Sequence, residues 1–173
     1  MNHTRFLAFW NPFEDVAGYP GAELFGRLFR RMSGIIYTDL KHNHDNRSMQ
    51  ILESADLAVV FLKQDYRSLD AFFAARQLRQ GNILYCIYNY FEEKLPGIPA
   101  VDDITLRYRI PKNYLAAIPY NRRLDTIAGK GQLGEYLQRK DMCDPYEEWS
   151  GFFRELKQAE EKLERILVGL SEK

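Results

Sequence analysis

The sequence predicts an α/β domain built on a mostly parallel sheet flanked by helices. Two observations predict it: short runs that are apolar on both faces, as strands covered on both sides are, and amphipathic helical stretches lying between them. Strand and helix in alternation argue for right-handed crossovers, and hence for parallel neighbours.

The strand-like runs are residues 6–10, 35–39, 57–62 and 83–88, each rich in β-branched or aromatic side chains. The first helical pattern, 21–32, carries Leu24, Phe25, Leu28 and Phe29 on one face. A second, 46–54, carries Met49, Ile51 and Leu52, and a third, 68–79, opens on Ser68-Leu-Asp70 and aligns Leu69, Phe72, Phe73 and Leu78. Pro and Gly make 95–99 a loop, and 115–118, ahead of Pro119, reads as a last short strand. Helical patterns then follow at 132–140 and 146–170. The last of these places Trp149, Phe152, Phe153, Leu156, Leu163, Ile166, Leu167 and Leu170 on one stripe, opposite Glu147, Lys157, Glu160, Glu161, Lys162 and Glu164. Its polar face is mixed in sign and its pattern short, so packing on its own sheet is expected rather than a membrane surface or a coiled coil.

A chain of 173 residues with 46% apolar content can bury one real core, so residues 1–173 are expected to form one domain, with 146–171 an amphipathic C-terminal helix packed on it. Lys plus Arg equals Asp plus Glu at 24 each, which gives no field for tight non-specific binding of nucleic acid or anionic lipid. The two cysteines, Cys86 and Cys143, form neither a disulfide framework nor a metal-ligand spacing. The first apolar stretch is broken by Asn11-Pro12, and nowhere is there a run of the roughly 20 apolar residues a spanning helix needs. A soluble, cytoplasmic protein without a transmembrane segment is expected.

Ligands of an open parallel sheet bind beyond the carboxyl ends of its strands, which directs attention to the loops there. The first such loop is read as 11–21, where Gly18, Pro20 and Gly21 allow a tight path that would expose amides to an anion. The motif GxxxxGK[ST] is absent, no lysine precedes Lys41, and Glu14 and Asp15 would repel phosphate. A purely structural loop accounts for the same residues. Asp39 ends the second apolar run, where a carboxylate could hold magnesium through water or simply cap the strand. His42 and His44, beside Asp45, lack a third supporting ligand, and a polar loop explains them as well. Asn89 closes the fourth run, placed either to read a purine edge or to form an Asx turn. Cys86 is expected to be buried in its strand, and all three histidines fall within the first 44 residues, so no nucleophilic triad has context. Arg107, Arg109, Lys112, Arg122 and Arg123 could form a basic surface for DNA, diluted by Asp102, Asp103 and Asp125.

Four stretches carry a resemblance. Ile35-Ile-Tyr-Thr-Asp-Leu-Lys41 and then Ile51-Leu-Glu-Ser-Ala-Asp-Leu-Ala-Val-Val-Phe-Leu62 are similar to a Walker B strand, its helix and the following ADxxxxV strand. Tyr88-Asn-Tyr90 is similar to a strand ending in an adenine-side asparagine, and Ile118-Pro-Tyr-Asn121 with Ala128-Gly-Lys-Gly131 to a segment closing a nucleotide pocket. In this order they resemble the ParA/MinD-type deviant Walker A ATPases, and among them the divergent relatives similar to the TadZ/CpaE proteins of pilus assembly, over about residues 35–170. The resemblance implies a P-loop NTPase-like fold of the SIMIBI type in reduced form. It implies nucleotide contacts, where retained, at Gly18, Gly21, Asp39, Asn89, Pro119 and Asn121, with Asp39 the magnesium residue. It also implies dimerisation and docking on protein partners.

The family's GKGGxGKT loop is replaced by residues 11–21 with neither lysine, and only Met32, Ser33 and Gly34 stand where a switch region and further strands belong. The expectation is therefore a non-catalytic scaffold or positioning protein for a cytoplasmic assembly, pilus or secretion related, with no catalytic residue and no required cofactor. It would meet protein partners, a second copy among them, and no specific nucleic acid. The alternative is an ATPase-like switch that retains weak binding of ATP or ADP with magnesium.

Overall fold

The structure is a computed structural model that describes residues 5–15, 35–42, 46–75, 82–91, 96–132, 135–136 and 149–171. Within them the chain runs β1 (Arg5–Asp15), β2 (Ile35–His42), α1 (Asn46–Ser54), β3 (Leu57–Leu62), α2 (Tyr66–Ala75), β4 (Asn82–Tyr90), α3 (Val101–Tyr108), a 3-10 turn (Lys112–Tyr114), β5 (Leu115–Pro119), α4 (Leu124–Gly129) and α5 (Ser150–Ser171). The five strands form one sheet in the order β2-β1-β3-β4-β5, and every neighbouring pair is parallel.

Alternation along the strands builds two cores, one on each face. Ala58, Val60 and Leu62 of β3 join Ile87 of β4 and Leu115 of β5 beneath α1, α2 and α3, where Ile51, Leu52, Leu69, Phe72 and Ile104 are buried. The other parity, Leu57, Val59, Leu84, Cys86 and Ala116, meets Ala159, Leu163, Ile166, Leu167 and Leu170 of α5. β3 is thus buried on both faces, the physical reason that it reads as an unbroken apolar run. Phe152 and Phe153 extend the α5 side into a third cluster with Tyr136. The amphipathic stripe of the last helix lies against the sheet, and of its mixed-charge face Lys162 reaches back to the sheet, where its Nζ donates to the Leu115 carbonyl.

Several boundaries differ from the sequence reading. β1 does not stop at Trp10. It continues to Asp15 after a register shift, with Phe9 opposite Asp39, Trp10 opposite Leu40 and Asp15 opposite His42. Pro12 has no N–H to give the ladder, which accounts for the break in pairing before the strand resumes. β2 likewise continues past Asp39 to His42, anchored by Leu40 at 2% exposure. α2 begins before Ser68 because the cap is Asp65: its Oδ1 accepts the Ser68 N–H at 2.7 Å, and its carbonyl accepts the Leu69 N–H at 3.1 Å. α3 and α4 were not foreseen. Asp103 in the first turn of α3 accepts the Ala100 N–H at 3.2 Å, and Arg109 closes the helix in the left-handed region at φ 55°. The expected helix at 21–32 lies outside the described residues, as does Cys143. Of the expected helix at 132–140, only Gln132, Glu135 and Tyr136 are described, with the Tyr136 N–H on the Gln132 carbonyl at 3.0 Å.

Candidate functional site at the carboxyl ends of the strands

Strand order 2-1-3-4-5 places a reversal of chain direction across the sheet at β1 and β3, where doubly wound folds open a crevice at the carboxyl ends. β3 ends in Leu62, followed by Lys63, Gln64 and Asp65. Gln64 reaches across to the end of β4: its Oε1 accepts the Phe91 N–H at 2.8 Å, and its Nε2 donates to the Phe91 and Pro99 carbonyls at 3.2 and 3.0 Å.

The end of β4 is a bulge. Tyr88 pairs with Ile118 and Tyr90 with Pro119, leaving Asn89 as the extra residue, at φ 52° and exposed. Asn is among the few residues that enter the left-handed region at low cost, and a bulge here turns its side chain out of the ladder. No described residue accepts or donates a hydrogen bond to that side chain. Beside it, the Tyr120 N–H closes on the Tyr90 carbonyl at 2.9 Å, and the Phe91 and Tyr120 rings stack at 5.7 Å with 25° between planes. Both rings are large apolar groups left open to solvent, at 46% and 48% exposure. An amide that can both donate and accept, next to two exposed rings, suits a planar heteroaromatic ligand.

The six residues expected at a nucleotide site are only partly brought together. Asn89 and Pro119 meet at adjoining strand ends. Asn121 lies two positions further on but is 3% exposed, and its carboxamide is occupied: it donates to the Tyr136 hydroxyl at 3.0 Å and accepts the Arg123 N–H at 3.0 Å, which shapes the turn into α4. Asp39 is on β2, three strands away from β4. At roughly 4.8 Å per strand that is about 14 Å, too far for Asp39 and Asn89 to meet one ligand atom. Gly18 and Gly21 lie outside the described residues, as do His44 and Asp45. Among the described residues no group of three or more His, Cys, Asp or Glu side chains gathers as metal ligands. The sequence reading missed Gln64, Phe91 and Tyr120, although aromatic residues immediately past two strand ends were a usable signal.

The basic surface considered for DNA is divided by its own partners. Arg107 pairs with Asp70 at 3.0 Å and Lys112 with Asp102 at 3.2 Å, while the Arg122 and Arg123 guanidinium groups lie 5.7 and 5.6 Å from the centre of the Trp149 ring. Cys86 is 3% exposed, and burial pushes its thiol up to about 12, so it offers no nucleophile. Among the described residues no helix is long and apolar enough to cross a membrane.

No protein-family model and no curated protein matches the chain. Solved structures do resemble it. The cell division ATPase MinD of Pyrococcus furiosus superposes with a TM-score of 0.52 at 15% identity, over 82% of this chain and 57% of that one. The MinD cell division protein of Aquifex aeolicus gives 0.52 at 13% identity, over 82% and 56%. The MinC:MinD cell division complex from Aquifex aeolicus gives 0.51 at 14%, over 82% and 55%. The chain therefore has the MinD-like, P-loop NTPase-like α/β fold, a parallel sheet flanked by helices, and spans a little over half the length of these structures.

Proposed function

We propose that this chain is a MinD-like positioning or scaffold protein of a cytoplasmic assembly, of the pilus or secretion kind implied by its resemblance to TadZ/CpaE proteins, and that it does not hydrolyse ATP. The observation that carries this reading is the end of β1. In an ATPase of this fold the chain leaves the sheet after its first strand into a lysine-bearing loop that cradles the β- and γ-phosphates. Here pairing with β2 breaks after Trp10 and resumes at Asp15, opposite His42, so that Glu14 and Asp15 fall in this stretch and no lysine lies between it and β2. Two carboxylates there oppose a triphosphate electrostatically, whereas the frame itself, with helices on both faces, remains suited to docking on a partner or a second copy. Sedimentation velocity tests the reading. The same species is expected with and without magnesium and ATP, and an oligomer that forms only with ATP would overturn it.

A second reading, an ATPase-like switch that still binds ATP or ADP weakly, is favoured by one observation, the exposed Phe91 and Tyr120 rings beside Asn89. In that reading the base stacks at the ends of β4 and β5, and Asp39 and the Gly18 to Gly21 amides serve magnesium and phosphate. Its mark is thermal: ligand at 100 times its dissociation constant stabilises the fold by about 2.7 kcal/mol. A rise in melting temperature with ADP, lost in Phe91→Ala, would select it.

A further inference from the structure

We propose that the crevice between the C-terminal half of α5 and the amino ends of β4 and β5 binds a small oxyanion that carries an apolar tail. The cavity measures about 300 Å³, at the lower end of the range for small-molecule sites. Asn82, the first residue of β4, and Tyr114, immediately before β5, form one wall. The site is therefore at the opposite end of the sheet from Asn89, roughly 23 Å away along β4 at the usual rise per residue.

Its chemistry is cationic. Lys162 and Arg165 both line it, one turn apart on α5, and among the described residues no carboxylate lines it. Lys162 is half-buried, and its Nζ donates to the Leu115 carbonyl at 2.7 Å, which fixes the ammonium in place and leaves two of its three protons for a ligand. Burial pulls this lysine below its ordinary range. Glu155 opposes that effect, and the charge of Arg165 adds to it. Lys162 and Arg165 thus place two cationic groups on one wall of the cavity, one of them partly desolvated, and an anion there would pair with both. Arg165 donates to the Glu161 carbonyl at 3.2 Å, and its pair with the Glu161 carboxylate is loose at 3.8 Å, so donors of its five-donor fork remain. The Asn82 and Asn113 amides and the Tyr114 hydroxyl supply further neutral polar groups.

The tail follows from the other wall. Ile166 and Leu170 face the cavity from α5, and Gly169 between them keeps it open: a Cβ added there meets no atom within 4 Å. A glycine inside a helix costs about 1 kcal/mol relative to alanine, so the opening is maintained against helix propensity.

Calorimetric titration of the full chain with butyl phosphate, inorganic phosphate and butanol tests the site. Butyl phosphate is expected to bind saturably and more tightly than inorganic phosphate, and butanol not to bind. Lys162→Met should weaken butyl phosphate by about tenfold or more through loss of a charge-assisted contact. Gly169→Leu, whose Cβ meets no atom within 4 Å, extends into the opening and should abolish binding while the melting temperature holds or rises. This variant decides the matter even if Lys162→Met folds poorly. Absence of saturable heat with butyl phosphate up to about 10 mM, where binding would be too weak to matter, overturns the proposal. So does unchanged affinity in Gly169→Leu. Equal affinity for butyl and inorganic phosphate overturns the apolar tail.

Discussion

The side chain of Gln64 holds the main chain of Phe91 by both its groups, accepting the N–H at 2.8 Å and donating to the carbonyl at 3.2 Å across 27 residues of sequence. It does for β3 and β4 what one further rung of the ladder would do, at the point where β3 has already left the sheet. The exposed Phe91 and Tyr120 pair is positioned by that clasp. Gln64→Ala should cost roughly 1 kcal/mol in urea unfolding, the usual net worth of such hydrogen bonds when water can replace them. Gln64→Glu, which keeps size but loses the donor to Phe91 and Pro99, should be destabilising as well.

A second clasp joins α2 to α3 and responds to pH. Arg107 grips Asp70 through Nε and Nη2 at 3.0 to 3.2 Å, and the Tyr108 hydroxyl donates to the same carboxylate at 2.7 Å. The Tyr108 hydrogen bond foremost, then Arg107, holds the Asp70 carboxyl below its ordinary value, with desolvation opposing. A carboxyl lowered in the folded state contributes stability that is complete above its unfolded pKa of about 4 and is lost as the pH falls through the lowered value. Melting curves of Asp70→Asn and the parent should therefore differ at neutral pH and converge in acid. Both partners are about half exposed, so added salt should narrow the difference too.

How much of this was legible in the sequence follows from what each element packs against. β3 and α1 were read to their end residues because one is buried on both faces and the other carries its apolar stripe between clear breaks. The ends of β1 and β2 were misplaced because pairing between two strands distant in sequence carries them past Pro12 and Asp39, and nothing local reports it. α3 was hidden by Pro99 and by its length of 8 residues, although Asp102 and Asp103 in its first turn were a start signal. In the site, Asn89 could be placed at a strand end, but its bulge depends on the register with β5. Asn121 was read as a ligand contact, and its burial against Tyr136 is a tertiary fact that no local pattern reports.

The docking of α5 predicts a contrast within one helix. Phe153 is 2% exposed and lies 5.2 Å from Tyr136 and 5.4 Å from Phe152, ring to ring, whereas Val168 is 58% exposed. Phe153→Ala should lower stability by roughly 3–5 kcal/mol and Val168→Ala by less than about 0.5 kcal/mol in chemical denaturation. Equal effects would mean that the helix does not rest on the sheet in solution.

Cys86 should be silent toward thiol reagents. With the thiolate disfavoured by burial up to a pKa of about 12, alkylation by iodoacetamide at pH 8 requires the sheet to open. In a Cys143→Ser background, labelling of the native protein should be negligible over the time in which urea-unfolded chain is labelled completely. Fast native labelling would show that the α5 face of β4 is open to solvent.

The central claim is that the frame persists without the chemistry, and phosphate release from ATP with magnesium by the purified chain tests it most directly, run beside Asp39→Ala. The account predicts no turnover above the background of the variant, even at millimolar ATP. Magnesium-dependent turnover that disappears in Asp39→Ala would contradict it, showing that a working phosphate site exists despite the carboxylates at the end of β1.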